Sequence, residues 1–388
     1  MLAAQPSSPG AMEAIADWRR AFAVTDALIY LDHASVGPLP RAAVNAVTAS
    51  LQEQARSGSI VHGKLHEAAE ELRGHFARFV GAAPDQVAAV PSTAAGISTI
   101  AMGLDWRHGD NVVVPEIDFP SVVFPWMVLA DRGVEVRRTP CTRGTVQIKS
   151  LLDSTNARTR VIAVSWVQFS SGFRTDLKEL GEACGRRGIL LVVDGMQGVG
   201  ALRLNISSLP VDVLATQSYK WLLSPQGVGW LYIRGELLNR IKLSAAGVRT
   251  VGHRNSFLNH TFDLAPSARR FESGILNFHG MSGAAASLRM LSDIGIEKIE
   301  SRVLGLSRQL AEGLLAQGCR LMGDPLNPEA SSGIIVFTHP AYDAATCQRR
   351  LADAGIVVSV RENAVRISPH FYNTEHEIDK TLRILSAS

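Results

Sequence analysis

Six short apolar runs recur along the first two-thirds of the chain: VAAV (87–90), NVVVP (111–115), VIAVSW (161–166), ILLVVD (189–194), VDVLAT (211–216) and VGWLYI (228–233). A strand that alternates apolar and polar residues can turn one face to water. A strand apolar on both faces must be covered on both, and parallel sheets flanked by helices provide that cover. Amphipathic stretches such as TDLKELGEACGRRG (175–188) lie between several of the runs and supply the helices. The pattern predicts an α/β unit built on a mostly parallel sheet.

After about Leu264 the pattern changes. A long helical stretch (280–318) precedes strand candidates SGIIVF (332–337), GIVVSV (355–360) and VRIS (365–368), and TEHEIDKTLRILS ends the chain as a helix. This reads as a smaller α+β domain beside the large one. A chain of 388 residues suits two domains. The expected division is an N-terminal arm and helix over 1–30 packed on the small domain, a large domain over 31–263 and a small domain over 264–388.

The net charge of +3 comes from 39 basic and 36 acidic residues spread along the chain, so no basic stripe marks a nucleic-acid or membrane partner. Cys141, Cys184, Cys319 and Cys347 are scattered without metal-ligand spacing and read as reduced thiols. The N-terminus lacks the basic and apolar regions of a signal peptide, and no stretch is long and apolar enough to span a bilayer. The expected location is cytoplasmic, with no metal.

Against this background a few residues stand out. Lys220 follows an apolar strand and precedes Trp221, Leu222 and Leu223. It is either a snorkelling lysine at a strand end or a desolvated amine, whose depressed pKa suits it to imine formation. Asp194 closes GILLVVD, at the carboxyl end of a strand where open α/β sheets bind ligands. A carboxylate there needs a partner: an arginine, backbone amides, or the protonated ring nitrogen of pyridoxal 5′-phosphate (PLP). Gln197 follows one turn later. Ser92, Thr93 and Ala94 sit in a strand–turn–helix segment that is either an ordinary cap or a phosphate cup. Phe119 lies just past another strand end, as core or as a surface for a planar ring. Arg361 and Arg366 flank a late strand, solvated or shaped for a carboxylate. The G-x-G pairs at 198–200 and 227–229 lack a third glycine in place, which excludes a dinucleotide fingerprint.

Taken in order, the Thr93 turn, the aromatic, D-x-x-Q after a strand, S-Y-K-W before a glycine-rich turn and a late arginine resemble the class V aminotransferase family. This is the fold-type I PLP branch of cysteine desulfurases, selenocysteine lyases and isopenicillin N epimerase-like enzymes. The likeness runs from LDHASVGPLP (31–40) to RISPHFYNTEHEID (366–379). It implies a large domain with a mostly parallel, seven-stranded sheet, a homodimer and PLP as cofactor. By the same resemblance Lys220 carries PLP as a Schiff base, Asp194 meets the ring nitrogen, Gln197 the ring hydroxyl and Phe119 the ring face. Ser92, Thr93 and Ala94 hold the phosphate, with Gln217 and Tyr219 contacting it from the strand before the lysine. Arg366 binds the substrate carboxylate and Arg361 is a second contact.

Three departures shift the match away from desulfurases. These carry a nucleophilic cysteine between the two late arginines, where this chain has only ENAV (362–365). Phe169 stands where they have asparagine, and Ile275 where the family often has a threonine that reaches the neighbouring subunit's phosphate. The expected activity is therefore at Cα of an α-amino acid, of aminotransferase or epimerase type. The alternatives are a desulfurase-like or C–S β-lyase reaction without a persulfide cysteine and, in another class, a non-catalytic PLP-fold binding protein.

Overall fold

The structure is a computed structural model that describes residues 9–252, 258 and 260–386. The first eight residues of the expected arm lie outside the described residues. The arm's helix runs over Pro9–Arg20 and leads to a short strand, β1 (Ile29–Tyr30).

Seven strands then form one sheet: β2 (Val87–Val90), β3 (Asn111–Pro115), β4 (Glu135–Thr139), β5 (Thr159–Ser165), β6 (Leu190–Asp194), β7 (Val213–Gln217) and β8 (Gly229–Ile233). Their order in space is β2-β8-β7-β6-β5-β3-β4, with β8 antiparallel to both of its neighbours and the other pairings parallel. The apolar runs map onto six of the seven strands. The seventh, β4, reads EVRRT; it is an edge strand and keeps its charged side chains partly in solvent. Helices cover both faces. One face buries Phe76, Trp230 and Leu214, and the other Ile97, Trp126 and Leu231.

The sheet places the carboxyl ends of β2, β3, β5, β6 and β7 along one edge, since each lies parallel to the next or is separated from it by β8. That edge is where open α/β sheets hold their ligands.

A smaller antiparallel sheet is built from β9 (Arg320–Leu321), β10 (Ile335–Thr338), β12 (Ser359–Arg361) and β13 (Ala364–Ile367) in the order β12-β13-β10-β9; β11 (Ile356–Val357) instead pairs in parallel with β1. Its core holds Leu310, Leu314, Phe337, Val365 and Ile378. The expected single helical stretch is two helices, Phe278–Ile294 and Ile296–Ala316, parted by Gly295 at φ 90°, a conformation that glycine adopts without strain. β12 and β13 are joined by Glu362 and Asn363 alone, at φ 46° and 64°. Two positive φ values in a two-residue loop match the right-handed twist of a hairpin.

The arm is tied to the C-terminal part. Trp18 meets Phe371 edge to face at 5.5 Å, and Arg19 pairs with Glu377 at 2.8 Å.

Candidate active site

β2 stops at Val90 because Pro91 cannot continue the ladder as a donor, and the helix Thr93–Gly103 starts after a cap. Ser92 is that cap: its Oγ accepts from the Ala95 amide at 3.0 Å. The first amides of a helix have no partner within it, so they point at whatever lies before the helix. Gln217, at the end of β7, donates to the Pro91 carbonyl at 2.6 Å and fixes this turn beside the lysine segment.

Asp194 ends β6. Its Oδ1 accepts from the Met196 amide at 2.7 Å, and no donor reaches Oδ2 among the described residues. Burial, with the neighbouring charge of Asp118 adding to it, raises its pKa to about 7, against the pull of the Met196 amide and Lys220. Lys220 follows β7. Its Nζ makes no hydrogen bond among the described residues and lies 5.8 Å from the centre of the Phe119 ring. The pocket leaves the side chain partly accessible, but the protein packs closely around it. Burial, then the charge of Arg366, draws its pKa down to about 8, against the attraction of Asp194.

Ser92, Thr93, Ala94, Phe119, Asp194, Gln197, Gln217, Tyr219 and Lys220 line a single pocket, together with Ser165 and Phe169. Phe119 caps the helix Pro120–Met127 and meets Phe169 edge to face at 5.1 Å. Gln197 is less free than its position in the sequence suggests. Its oxygen accepts from the Trp221 indole at 2.9 Å and its amide donates to the Ala34 carbonyl at 3.0 Å, leaving one N–H for a ligand.

The two late arginines lie at the small sheet and converge on one hydroxyl. Arg366 donates to Ser35 Oγ at 2.6 Å and Arg361 at 3.0 Å. Arg366 is 2% exposed, lies 3.6 Å from Asp32 and also donates to the Phe169 carbonyl at 3.3 Å. Burial, then the charge of Arg361, lowers its pKa to about 10, so it stays charged at neutral pH.

Several residues escaped the sequence reading. Asp118, directly before Phe119, is buried and accepts from the Ser165 amide at 2.8 Å, from Ser165 Oγ, from Gln168 Nε2 at 3.2 Å and from the Phe119 amide at 2.9 Å. The signal that singled out Asp194, a carboxylate just past an apolar strand, is present here too. Ser35 and Asp32 belong to LDHASVGPLP, where only glycine and proline draw the eye. Gly37 has a stricter role. Its amide donates to the Tyr219 carbonyl at 2.8 Å, and a Cβ on it would lie 2.1 Å from the Lys220 carbonyl oxygen. Gly37→Ala should therefore destabilise the fold by about 1–3 kcal/mol, read from urea melts.

A second hollow, of about 440 Å³, lies across the Pro91 turn against Gly227, Ile275 and Leu276. It is the larger space, but its one carboxylate, Glu272, is taken up by Arg73 and Arg249 at 2.5 and 2.8 Å. The amine of Lys220, the carboxylate of Asp194 and the turn at 92–94 are all in the smaller pocket.

The free oxygen of Asp194, the unpartnered amine of Lys220 and the helix N-terminus at Thr93 suit an anionic, planar cofactor with a basic ring nitrogen and an aldehyde. The sheet order and this pocket define the fold-type I class of PLP enzymes. The Aminotransferase class-V family model matches residues 29–384. The chain is 30% identical over 327 residues to an uncharacterised aminotransferase of Bacillus subtilis (strain 168), spanning 83% of this chain and 84% of that protein. It is 28% identical to isopenicillin N epimerase of Streptomyces clavuligerus, spanning 96% and 99%. The apo structure of a cysteine desulfurase from Thermococcus onnurineus NA1 superposes with a TM-score of 0.86 at 24% identity, covering 99% of this chain and 98% of that one. The chain belongs to the class V aminotransferase family, and is a PLP-dependent enzyme. No helix among the described residues is long and apolar enough to cross a membrane.

Proposed function

We propose that this enzyme acts at Cα of an α-amino acid, as an aminotransferase or an epimerase, with Lys220 both carrying the cofactor and moving the Cα proton. One arrangement carries the reading: Lys220 shares a pocket with Phe169, whose carbonyl accepts from Arg366, and Arg366 and Arg361 converge on the single oxygen of Ser35. When bound, PLP supplies an electron sink for the pair left at Cα.

In this reading the chain's own groups divide the work. Asp194 holds the proton on the ring nitrogen through its free oxygen. The amides at the start of the helix Thr93–Gly103 and the hydroxyls of Ser92 and Thr93 hold the phosphate, with Gln217 and Tyr219 beside them. Phe119 covers the ring face, and Gln197 offers its remaining N–H to the ring hydroxyl. The substrate carboxylate replaces Ser35 Oγ as the acceptor for Arg366, with Arg361 as the second donor. Lys220, whose pKa burial draws down to about 8, would be the amine placed to take and return the Cα proton.

The two-residue turn at Glu362–Asn363 supports this branch over a persulfide mechanism, because no loop between the arginines remains to carry a cysteine. None of the four cysteines lines the pocket. A C–S β-elimination needs no such cysteine and is the second reading.

The deciding experiment incubates the holoenzyme with α-amino acids of both hands in D₂O, with and without a 2-oxo acid. Keto acid formation marks transamination, inversion with deuterium at Cα marks epimerisation, and release of sulfide with pyruvate marks elimination. No exchange at Cα and no keto acid, inverted amino acid or elimination product from any amino acid would overturn the proposal. Arg366→Ala should raise KM on the order of 10²-fold, since it removes charged hydrogen bonds to the carboxylate. An unchanged KM would reject that assignment.

A homodimer is also proposed. Phe124, Met127 and Val128 are exposed together on one helical segment and Ile275 at the rim of the larger hollow. Sedimentation should give about twice the 41.8 kDa chain mass; a monomer at micromolar concentration would contradict it.

A further inference from the structure

The segment RISPHFYN supplies Arg366, but its histidine has no part in the chemistry described above. His370 is 0% exposed and 149 residues from the segment it touches. Its Nδ1 accepts from the Phe371 amide at 2.8 Å, so the proton must sit on Nε2, which donates to the Trp221 carbonyl at 3.0 Å. Trp221 is fully buried, and among the described residues His370 is the only group that donates to its carbonyl.

Trp221 directly follows Lys220, and the surrounding chain leaves the two peptides that flank Trp221 little room. A Cβ on Gly37 would collide with the Lys220 carbonyl oxygen, and one on Gly200 would lie 2.6 Å from the Trp221 carbonyl carbon and oxygen. On its side-chain end, the Trp221 indole donates to Gln197. His370 itself is held from behind. His33 donates from Nδ1 to the Ser368 carbonyl at 2.8 Å and accepts from Tyr372 O–H at 2.7 Å, and its ring meets that of His370 edge to face at 5.1 Å. The imidazole is therefore fixed in one tautomer and one orientation.

We propose that His370 is a positioning residue: its Nε2–H fixes the Trp221–Leu222 peptide, one peptide beyond Lys220, and through the Trp221 indole Gln197, so that Lys220 Nζ and the Gln197 amide reach the cofactor from fixed directions. The device joins the C-terminal segment to the cofactor end of the large sheet through a single hydrogen bond. It makes the donor, not the ring's bulk or charge, the requirement at this position. Burial keeps the imidazole neutral, with its pKa lowered to about 4, so the donor persists throughout the working pH range. The inference rests on Lys220 being the cofactor-bearing lysine.

The test compares His370→Phe, which keeps an aromatic ring but no donor, with His370→Gln, which keeps an amide N–H. The holoenzymes are read by the pH titration of their visible absorbance, by the rate of borohydride trapping and by steady-state kinetics. His370→Phe should displace the absorbance titration by about half a pH unit or more and lower kcat about tenfold with KM changed less than about twofold, and His370→Gln should restore both towards wild type. Equal spectra, trapping rates and kcat in wild type and His370→Phe would overturn the proposal, as would a Gln variant no better than Phe. If His370→Phe does not fold, histidine-selective ¹⁵N NMR of the wild-type protein decides. A neutral ring with a slowly exchanging Nε2–H supports the clamp, and a proton on Nδ1 overturns it. A borohydride label that maps away from Lys220 would instead refute the function reading, which separates the two failures.

Discussion

Lys220→Ala will lower turnover by on the order of 10⁴ or more and leave the cofactor removable by dialysis. Under the proposed function two losses coincide in this variant: the covalent tether and the base that moves the Cα proton. No other lysine lines the pocket to substitute for it. Borohydride followed by peptide mapping should label Lys220 in the wild type and no residue in the variant. Full activity in Lys220→Ala, or a label on a different lysine, would remove the basis of the mechanism. Exogenous small amines offer a further check, since they can replace the base but not the tether.

Asp194→Asn should reduce kcat by about 10³-fold, because a neutral amide cannot hold the ring nitrogen's proton as a carboxylate does. The same substitution has an opposite effect on the cofactor-free fold. In the folded chain the Asp194 carboxyl titrates at about 7, well above its ordinary value of 3.8, chiefly because it is buried. A raised carboxyl pKa gives stability that is complete below pH 4 and is lost as pH rises to about 7. Cofactor-free wild type should therefore lose melting temperature across that window relative to Asp194→Asn, which has no charge to bury. Parallel melting curves for the two proteins from pH 4 to pH 7.5 would show that Asp194 is not strained in the empty pocket.

The elements with strong local signals were readable from the sequence. The buried strands announced themselves because a strand covered on both faces must be apolar throughout. β4 did not, because an edge strand exposes half its surface and can carry Glu135, Arg137 and Arg138. The sequence pattern runs through Gly295 without a break because one glycine in an amphipathic pattern is a weak stop signal until its φ is known. The same distinction holds in the site. Asp194 and Lys220 sit at strand ends and could be found by position, and Asp118 could have been found in the same way. Ser35 could not: it acquires meaning only when Arg366, 331 residues away, folds back onto it. Gln197 was visible as a polar residue near a strand end, but its two structural hydrogen bonds, to Trp221 and Ala34, are products of tertiary packing.

The Glu362–Asn363 turn bears on how readily this scaffold changes its chemistry. β12 and β13 pair Arg361 opposite Ala364 and Ser359 opposite Arg366, so both arginines lie on paired strand positions and not in the tip. Hairpin tips are also the places where chains accept insertions with little loss of stability. Both arginines would thus keep their stations whether the tip holds two residues or a long loop with a nucleophile on it. If the two arginines anchor the substrate as proposed, that anchoring and any reagent carried at the tip are separate modules, so a lineage could gain or lose the second without rebuilding the first.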